Sequence, residues 1–243
     1  MKRLLSTLGI ALITCVAWAQ NLPQGFGLQI GFAQPVLRLN SPETRYPSDS
    51  LVNTTTLNGF KVGLVYDATF VKGFGASIGV NYTFAQGQTK WLQTGIYGYP
   101  QSRTRTTYQQ LELFVDWQYK FEIAGGTYII LYTGPSIQCG LSLKEREFRI
   151  LELGQDAVTT KDYSLFDYKD SEHSRDLKRL NLTWGVGVGF QYQQFFLRGG
   201  YDFGLVNPYK ETNFNKMGFA NDRYTRGRLD QWNIRFGMYL WRN

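Results

Sequence analysis

The sequence predicts an all-β fold: a single eight-stranded antiparallel up-and-down transmembrane β-barrel with short periplasmic turns and long external loops. Three observations carry this prediction. From Phe74 to Phe84 every second residue is apolar or aromatic (Phe74, Ala76, Ile78, Val80, Tyr82, Phe84), whereas Gly75, Ser77, Gly79, Asn81 and Thr83 lie between them. Side chains alternate across a strand, so one face suits lipid and the other a polar lumen. The same two-faced pattern recurs from Phe60 to Phe70, Leu111 to Phe121, Leu180 to Tyr192 and Trp232 to Leu240, with aromatics often ending the apolar face. The connections alternate between short and long, as in outer-membrane barrels.

The chain opens with Lys2 and Arg3 before an apolar run from Leu4 to Val16, then Ala17-Trp18-Ala19. A basic start, an apolar stretch and small residues at −3 and −1 predict a secretory signal peptide over residues 1–19, cut after Ala19. A lipoprotein reading would use Cys15, but Thr14 is a poor residue before a lipidated cysteine. Residues 20–243 then form the barrel domain.

Eight strands are expected: Gly25 to Leu39, Leu57 to Phe70, Phe74 to Ala85, Tyr108 to Phe121, Thr127 to Leu141, Leu180 to Tyr192, Phe195 to Val206 and Leu229 to Trp241. Val71-Lys72-Gly73, Glu122 to Gly126 and Gln193-Gln194 read as tight turns. Asn40 to Thr56, Gln86 to Thr107, Ser142 to Arg179 and Asn207 to Arg228 read as long polar loops facing outward. In the fifth strand Ile129, Leu131, Thr133, Pro135, Ile137, Cys139 and Leu141 make the lipid face, and Tyr128, Ile130 and Tyr132 point inward. Pro135 cannot donate to a ladder, so a bulge is expected near Gly134-Pro135.

Composition narrows the function classes. Loss of the leader lowers the formal net charge of +7 by two, a mild balance that asks for no nucleic acid. It also leaves Cys139 as the one cysteine of the mature chain, so no internal disulfide forms. Beyond the leader no run of ~18 apolar residues occurs, which excludes a helical span. Mean hydropathy is −0.30; barrel strands average a polar face with an apolar one, so this value does not argue against a membrane protein.

Several short motifs carry a resemblance: Leu111-Glu112-Leu113 opening a strand that closes with Tyr119-Lys120-Phe121, then Gly134-Pro135-Ser136, then Gly185-Val186-Gly187-Val188-Gly189. The most specific is Arg198-Gly199-Gly200-Tyr201 running on to Gly204-Leu205-Val206-Asn207. In these the chain resembles the PorT-like outer-membrane β-barrel proteins of Bacteroidota over most of its mature length. That resemblance implies an outer-membrane barrel and, through the family's named member, a role in protein secretion across the outer membrane. Two departures stand out. Phe114 and Val115 replace a proline often found after the Leu-Glu pair, and Arg242 and Asn243 follow Trp241 where an aromatic would end the chain. The second weakens the expected signal to the barrel assembly machinery.

With the apolar face outward, an inward charge network is expected from Lys61, Asp67, Glu112, Asp116, Lys120, Arg198, Asp202 and Arg235. Counted from the turns, Asp67, Asp116, Asp202, Arg198 and Arg235 fall at one depth, with Lys61 and Glu112 higher. In a narrow lumen these groups pair, either as a structural plug or as part of a transport path. Gly185, Gly187 and Gly189 superficially resemble a nucleotide loop, but they alternate inside a strand with no helix after them, and room for side chains in a narrow barrel explains them.

His173, beside Glu172 and near Asp170 and Asp176, is the one histidine. It lacks a nucleophile or ligand cluster around it, so no enzyme activity, cofactor or metal site is expected. Tyr163, Phe166 and Tyr168 in the charged third loop are candidate external contact residues. The expected partners are outer-membrane lipid, the barrel assembly machinery during insertion, and secretion-machine or surface proteins. The leading reading is a non-enzymatic outer-membrane barrel with a structural, interaction or secretion-associated role. A small passive channel is the alternative, and a secreted lipocalin-like soluble barrel the third.

Overall fold

Alternation of apolar and small polar residues gives strands long enough to cross a bilayer, and in the computed structural model they close on themselves. The structure describes residues 24–40, 53–71, 73–88, 92–93, 101–150, 158–164, 166, 177–208 and 226–242. The predicted leader therefore lies outside the described residues. In chain order the strands are β1 (Gln24–Asn40), β2 (Asn53–Thr56), β3 (Asn58–Val71), β4 (Phe74–Gln88), β5 (Leu92–Gln93), β6 (Gln101–Ala124), β7 (Thr127–Ile150), β8 (Val158–Ser164), β9 (Leu180–Tyr192), β10 (Phe195–Gly204) and β11 (Arg226–Arg242). Eight of them form an antiparallel ring in the order β1-β3-β4-β6-β7-β9-β10-β11, and β11 pairs back onto β1. A closed ring has no open edge, which removes the main route to strand-to-strand aggregation. The short β2, β5 and β8 attach to β1, β6 and β7 at the loop end.

The two faces separate as the alternation requires. Leu28, Ile30 and Phe32 of β1, Leu111 and Leu113 of β6, and Ile234 and Phe236 of β11 are exposed on the outside, while Gln29, Asn81, Glu112 and Asn233 are buried within. A lipocalin-like soluble barrel would have the reverse arrangement, an apolar cavity and a polar exterior, so that reading is excluded. Aromatics crowd the turn end of the outer wall, where Phe74 stacks on Trp117 at 6.3 Å and Phe195 on Phe236 at 6.0 Å. Tyr201 and Trp232 meet edge-on at 4.7 Å towards the loop end. Such girdles mark the two bilayer interfaces.

The tight turns rest on residues that accept positive φ. Gly73 (φ 87°) links β3 to β4, Gly126 (φ 81°) links β6 to β7, and Gln193 (φ 49°) links β9 to β10. Hairpin turns need this left-handed conformation, to which glycine has least objection.

Three expectations about the strands are corrected. The fourth and fifth run far past Tyr108 and Leu141, to Gln101 and Ile150, and the Lys144-Glu145-Arg146-Glu147 segment is ladder, not loop. These ends sit beyond the apolar belt, so no apolar alternation announces them. β2, β5 and β8 also lie within the expected first, second and third loops. Finally, no register shift occurs at Gly134-Pro135. Pairing with β6 simply lapses opposite Val115 and Asp116 where Pro135 has no N–H to give, and the ladder shifts instead at Glu122/Ala124 beside the turn and at Gln109/Gln110, across from Leu141. That bulge turns Leu143 inward after Leu141 outward.

Candidate functional site

The lumen is the one place where chemistry-bearing side chains converge among the described residues, and strand parity puts them there. Nearest the turns, Asp67 of β3 accepts from Arg198 of β10 at 2.7 Å and from Lys120 of β6 at 3.2 Å. The Tyr239 hydroxyl donates to the same carboxylate, and Arg198 also donates to Ser77 at 3.0 Å and to Gln118 at 3.2 Å. Four strands are thus tied through one acid. The guanidinium of Arg198 lies 5.0 Å from the Phe196 ring, whose apolar face offers the cation a further partner.

Further from the turns Arg235 sits between aromatic faces, 5.2 Å from Phe114 and 5.5 Å from Tyr132, with Asp116 at 3.9 Å. These rings need space that glycines supply. A Cβ on Gly187 would strike the Tyr132 ring, and one on Gly79 would stand 2.6 Å from Phe114. The glycine alternation of β9 is therefore a packing device for a filled lumen.

Higher again, Glu112 gathers donors from around the ring. Lys61 reaches it at 2.9 Å, Asn81 at 2.8 Å, and Gln138 and Gln231 each at 3.4 Å. Gln29 donates to Asn81 at 2.6 Å. Asp202 belongs to this level, not to that of Asp67: its partners are Asn233 at 2.9 Å and Gln231 at 3.4 Å, and among the described residues it makes no ion pair. The expected single depth for Asp67, Asp116, Asp202, Arg198 and Arg235 is thereby corrected. Barrel strands tilt and stagger, so equal distance from a turn along the chain is not equal height.

Above the polar levels an apolar cap closes the loop end, made of Leu57, Ala85, Tyr108, Leu143, Phe166 and Leu177, with Leu37 and Leu229 against it. Phe166 is the second correction. Expected as an external contact residue, it is 4% exposed and covered by the Arg179 guanidinium at 5.2 Å. A phenyl group in a loop can turn down into the lumen mouth, where it removes apolar area from water. Tyr163 lies on β8, and Tyr168 and His173 fall outside the described residues.

Lys61, Asp67, Glu112, Asp116, Lys120, Arg198, Asp202 and Arg235 all stand on lumen-facing positions. Asn81 and Tyr132 line the lumen as the alternation predicts, and with them stand residues that a count of charges does not single out: the amides of Gln29, Gln110, Gln118, Gln138 and Gln231, and the rings of Phe114, Phe196 and Tyr239. The signal was present, since Gln110 and Phe114 share the parity of Glu112, and Gln118 shares that of Lys120. Chemically the arrangement offers interlocked ion pairs and amide bridges in a space filled by side chains.

Comparison with known proteins addresses the fold. Ail, the attachment invasion locus protein of Yersinia pestis, in complex with the heparin analogue sucrose octasulfate, is 12% identical, with 89% of this chain and 98% of that chain covered and a TM-score of 0.37. Neisserial surface protein A is 11% identical, with 90% and 99% covered and a TM-score of 0.39. The N-terminal β-barrel domain of Pseudomonas aeruginosa OprF is 10% identical, with 89% and 99% covered and a TM-score of 0.29. At these identities and scores the likenesses support no functional step. No curated protein matches the sequence. The family model described as the outer membrane protein beta-barrel domain, however, matches residues 18–209. The chain belongs to that family and is an outer-membrane β-barrel protein.

Proposed function

We propose that this protein is a non-enzymatic barrel closed to solutes, which acts through contacts of its external end in a structural, interaction or secretion-associated role. The observation that carries this reading is the occupied lumen. Lys61 locks to Glu112 and Arg198 to Asp67 across the ring, beneath an apolar cap. A passive channel needs an open interior, which eight strands leave barely wide enough for side chains.

The PorT-like resemblance joins this proposal with its Bacteroidota affiliation and its secretion role. Its most specific motif, Arg198 to Tyr201, reads in structural terms as a packing element: Arg198 holds Asp67, and Gly200 admits the Tyr132 hydroxyl. A secretion role would then rest on the hairpin β6–β7, whose 24-residue strands outgrow the β4 and β9 strands beside them and carry β5 and β8.

Isolation from native outer membranes in mild detergent tests the reading. A stoichiometric protein partner is expected, and it should be lost when the β6–β7 hairpin is cut back to the level of Tyr108 and Leu143. A solitary barrel whose removal slows the uptake of a small solute would contradict it.

A further inference from the structure

The ladder between β10 and β11 ends before the strands do. Their last register pair is Asp202 with Gln231, although β11 begins at Arg226 and is paired with β1 over its whole loop-side end, as far as Arg226 with Asn40. The end of β10 goes the other way. It stays with β9 up to the pair Gly204 with Thr183, and the chain just past it keeps to that side. Leu205 donates its N–H to the Leu182 carbonyl at 2.8 Å, and Lys178 donates to the Pro208 carbonyl at 2.6 Å. The wall therefore forks at its loop end, one arm following β9 and the other β1.

Side chains span this fork. Asp230 of β11 accepts from the Gly204 N–H at 2.9 Å and from the Tyr201 hydroxyl at 2.7 Å, both on β10. Arg228 meets the same carboxylate at 2.8 Å and Arg38 of β1 meets it at 3.4 Å, while Arg38 also donates to the Tyr201 hydroxyl at 3.3 Å. Further out, the side-chain oxygen of Asn207 accepts from the Gly227 N–H at 3.2 Å. Asp230 shares the outward parity of Trp232 and Ile234, yet it is 0% exposed, because Arg38 and Arg228 cover it with their half-exposed side chains. Charge-assisted hydrogen bonds are the strong ones, and here donors from three strands converge on one carboxylate where ladder bonds have stopped. The fit is close: a Cβ on Gly204 would stand 2.4 Å from the Leu229 carbonyl oxygen, so the arms meet only with glycine there.

We propose that Asp230 is a clasp, and that the loop end of the β10–β11 seam is where the wall of this barrel parts when the clasp lets go. The arms separate down to the pair Asp202 with Gln231, and the end of β10 stays on β9. Segments held by few backbone bonds open locally without unfolding the rest. Just inside the fork stands Asp202, a half-buried lumen carboxylate held by the amides of Asn233 and Gln231. Opening brings that carboxylate within reach of the outer face and leaves the Arg198–Asp67 lock nearer the turns in place. The closed lumen described above is the clasped state.

Amide hydrogen exchange, read residue by residue by NMR on the full folded chain in detergent micelles, tests the clasp. In Asp230→Ala the Gly204 and Gly227 amides are expected to exchange at least tenfold faster than in the unmodified protein, while Leu205 and Lys178, bonded on the β9 side, keep their rates. Gly227 decides the matter, since its bond is to Asn207 and does not touch Asp230. A rise at Gly204 alone would mean one lost hydrogen bond and no opening, and would overturn the proposal. So would equal rises at Gly204, Leu205 and the turn-end pairs, which would mark a general loss of stability. If Asp230→Ala does not fold, as judged by the heat-dependent gel shift of a closed barrel, Tyr201→Phe removes one donor from the clasp and should raise exchange at Gly204 and Gly227 together several-fold. Unchanged exchange at Gly227 in that variant would overturn the proposal in the same way.

Discussion

Replacement of Glu112 by leucine should cost the folded barrel about 3–5 kcal/mol, because it strands a buried cation. Lys61 is 1% exposed and its ion pair at 2.9 Å is to Glu112. The same change takes the acceptor from Asn81, Gln138 and Gln231. Denaturant unfolding in lipid vesicles reads the loss. The double variant Lys61→Met, Glu112→Leu removes both charges and should recover much of it, since an apolar pair of similar volume can replace a buried ion pair at little net cost. A double variant as unstable as the sum of the two singles would show that the pair does not act as a unit.

Arginine in place of Val80 should destabilise by ~2–4 kcal/mol, the cost of a charge facing lipid near the midplane of a barrel. Val80 is 46% exposed and lies between Leu64 and Leu113 on the neighbouring strands. Val80→Leu should be nearly neutral. One position along, Asn81 is fully buried, donating to Glu112 and accepting from Gln29. Asn81→Leu should therefore cost about 1–3 kcal/mol by leaving buried polar partners unsatisfied. Leucine tolerated equally at both positions would contradict the assignment of Val80 to lipid and Asn81 to the lumen.

These two neighbours show why so much of the barrel was legible in the sequence. Strand parity is a local property, so Val80 and Asn81, or Leu111 and Glu112, declare their faces without any knowledge of the strands around them. Height is not local. It depends on tilt and stagger set by the whole ring, and for that reason Asp202 was expected beside Asp67 and instead meets Asn233 and Gln231 near Glu112. The glutamine amides are silent in a pattern of charges because they become partners only once the strands close. Gln231 is an example, bridging Glu112 and Asp202 from a strand more than a hundred residues along the chain from Glu112.

Beyond the bilayer the alternation loses its physical cause. The segments from Gln101 to Thr107 and from Ser142 to Ile150 run past the apolar belt and are held as strands by their mutual pairing. The place of Phe166 is illegible for a related reason: an aromatic in a polar loop is as able to cap the lumen as to meet a partner, and the cap of Leu57, Tyr108 and Leu143 exists only in three dimensions. Function was less legible than fold because the inward charges serve closure as readily as passage.

Single-channel recording in planar bilayers tests closure most directly. With Lys61 bound to Glu112, Arg198 and Lys120 to Asp67, and the loop end covered by apolar side chains, the unmodified barrel should give no steady current across the accessible voltage range. Large, stable conductance steps from the unmodified protein would contradict a closed lumen and make a small channel the better description.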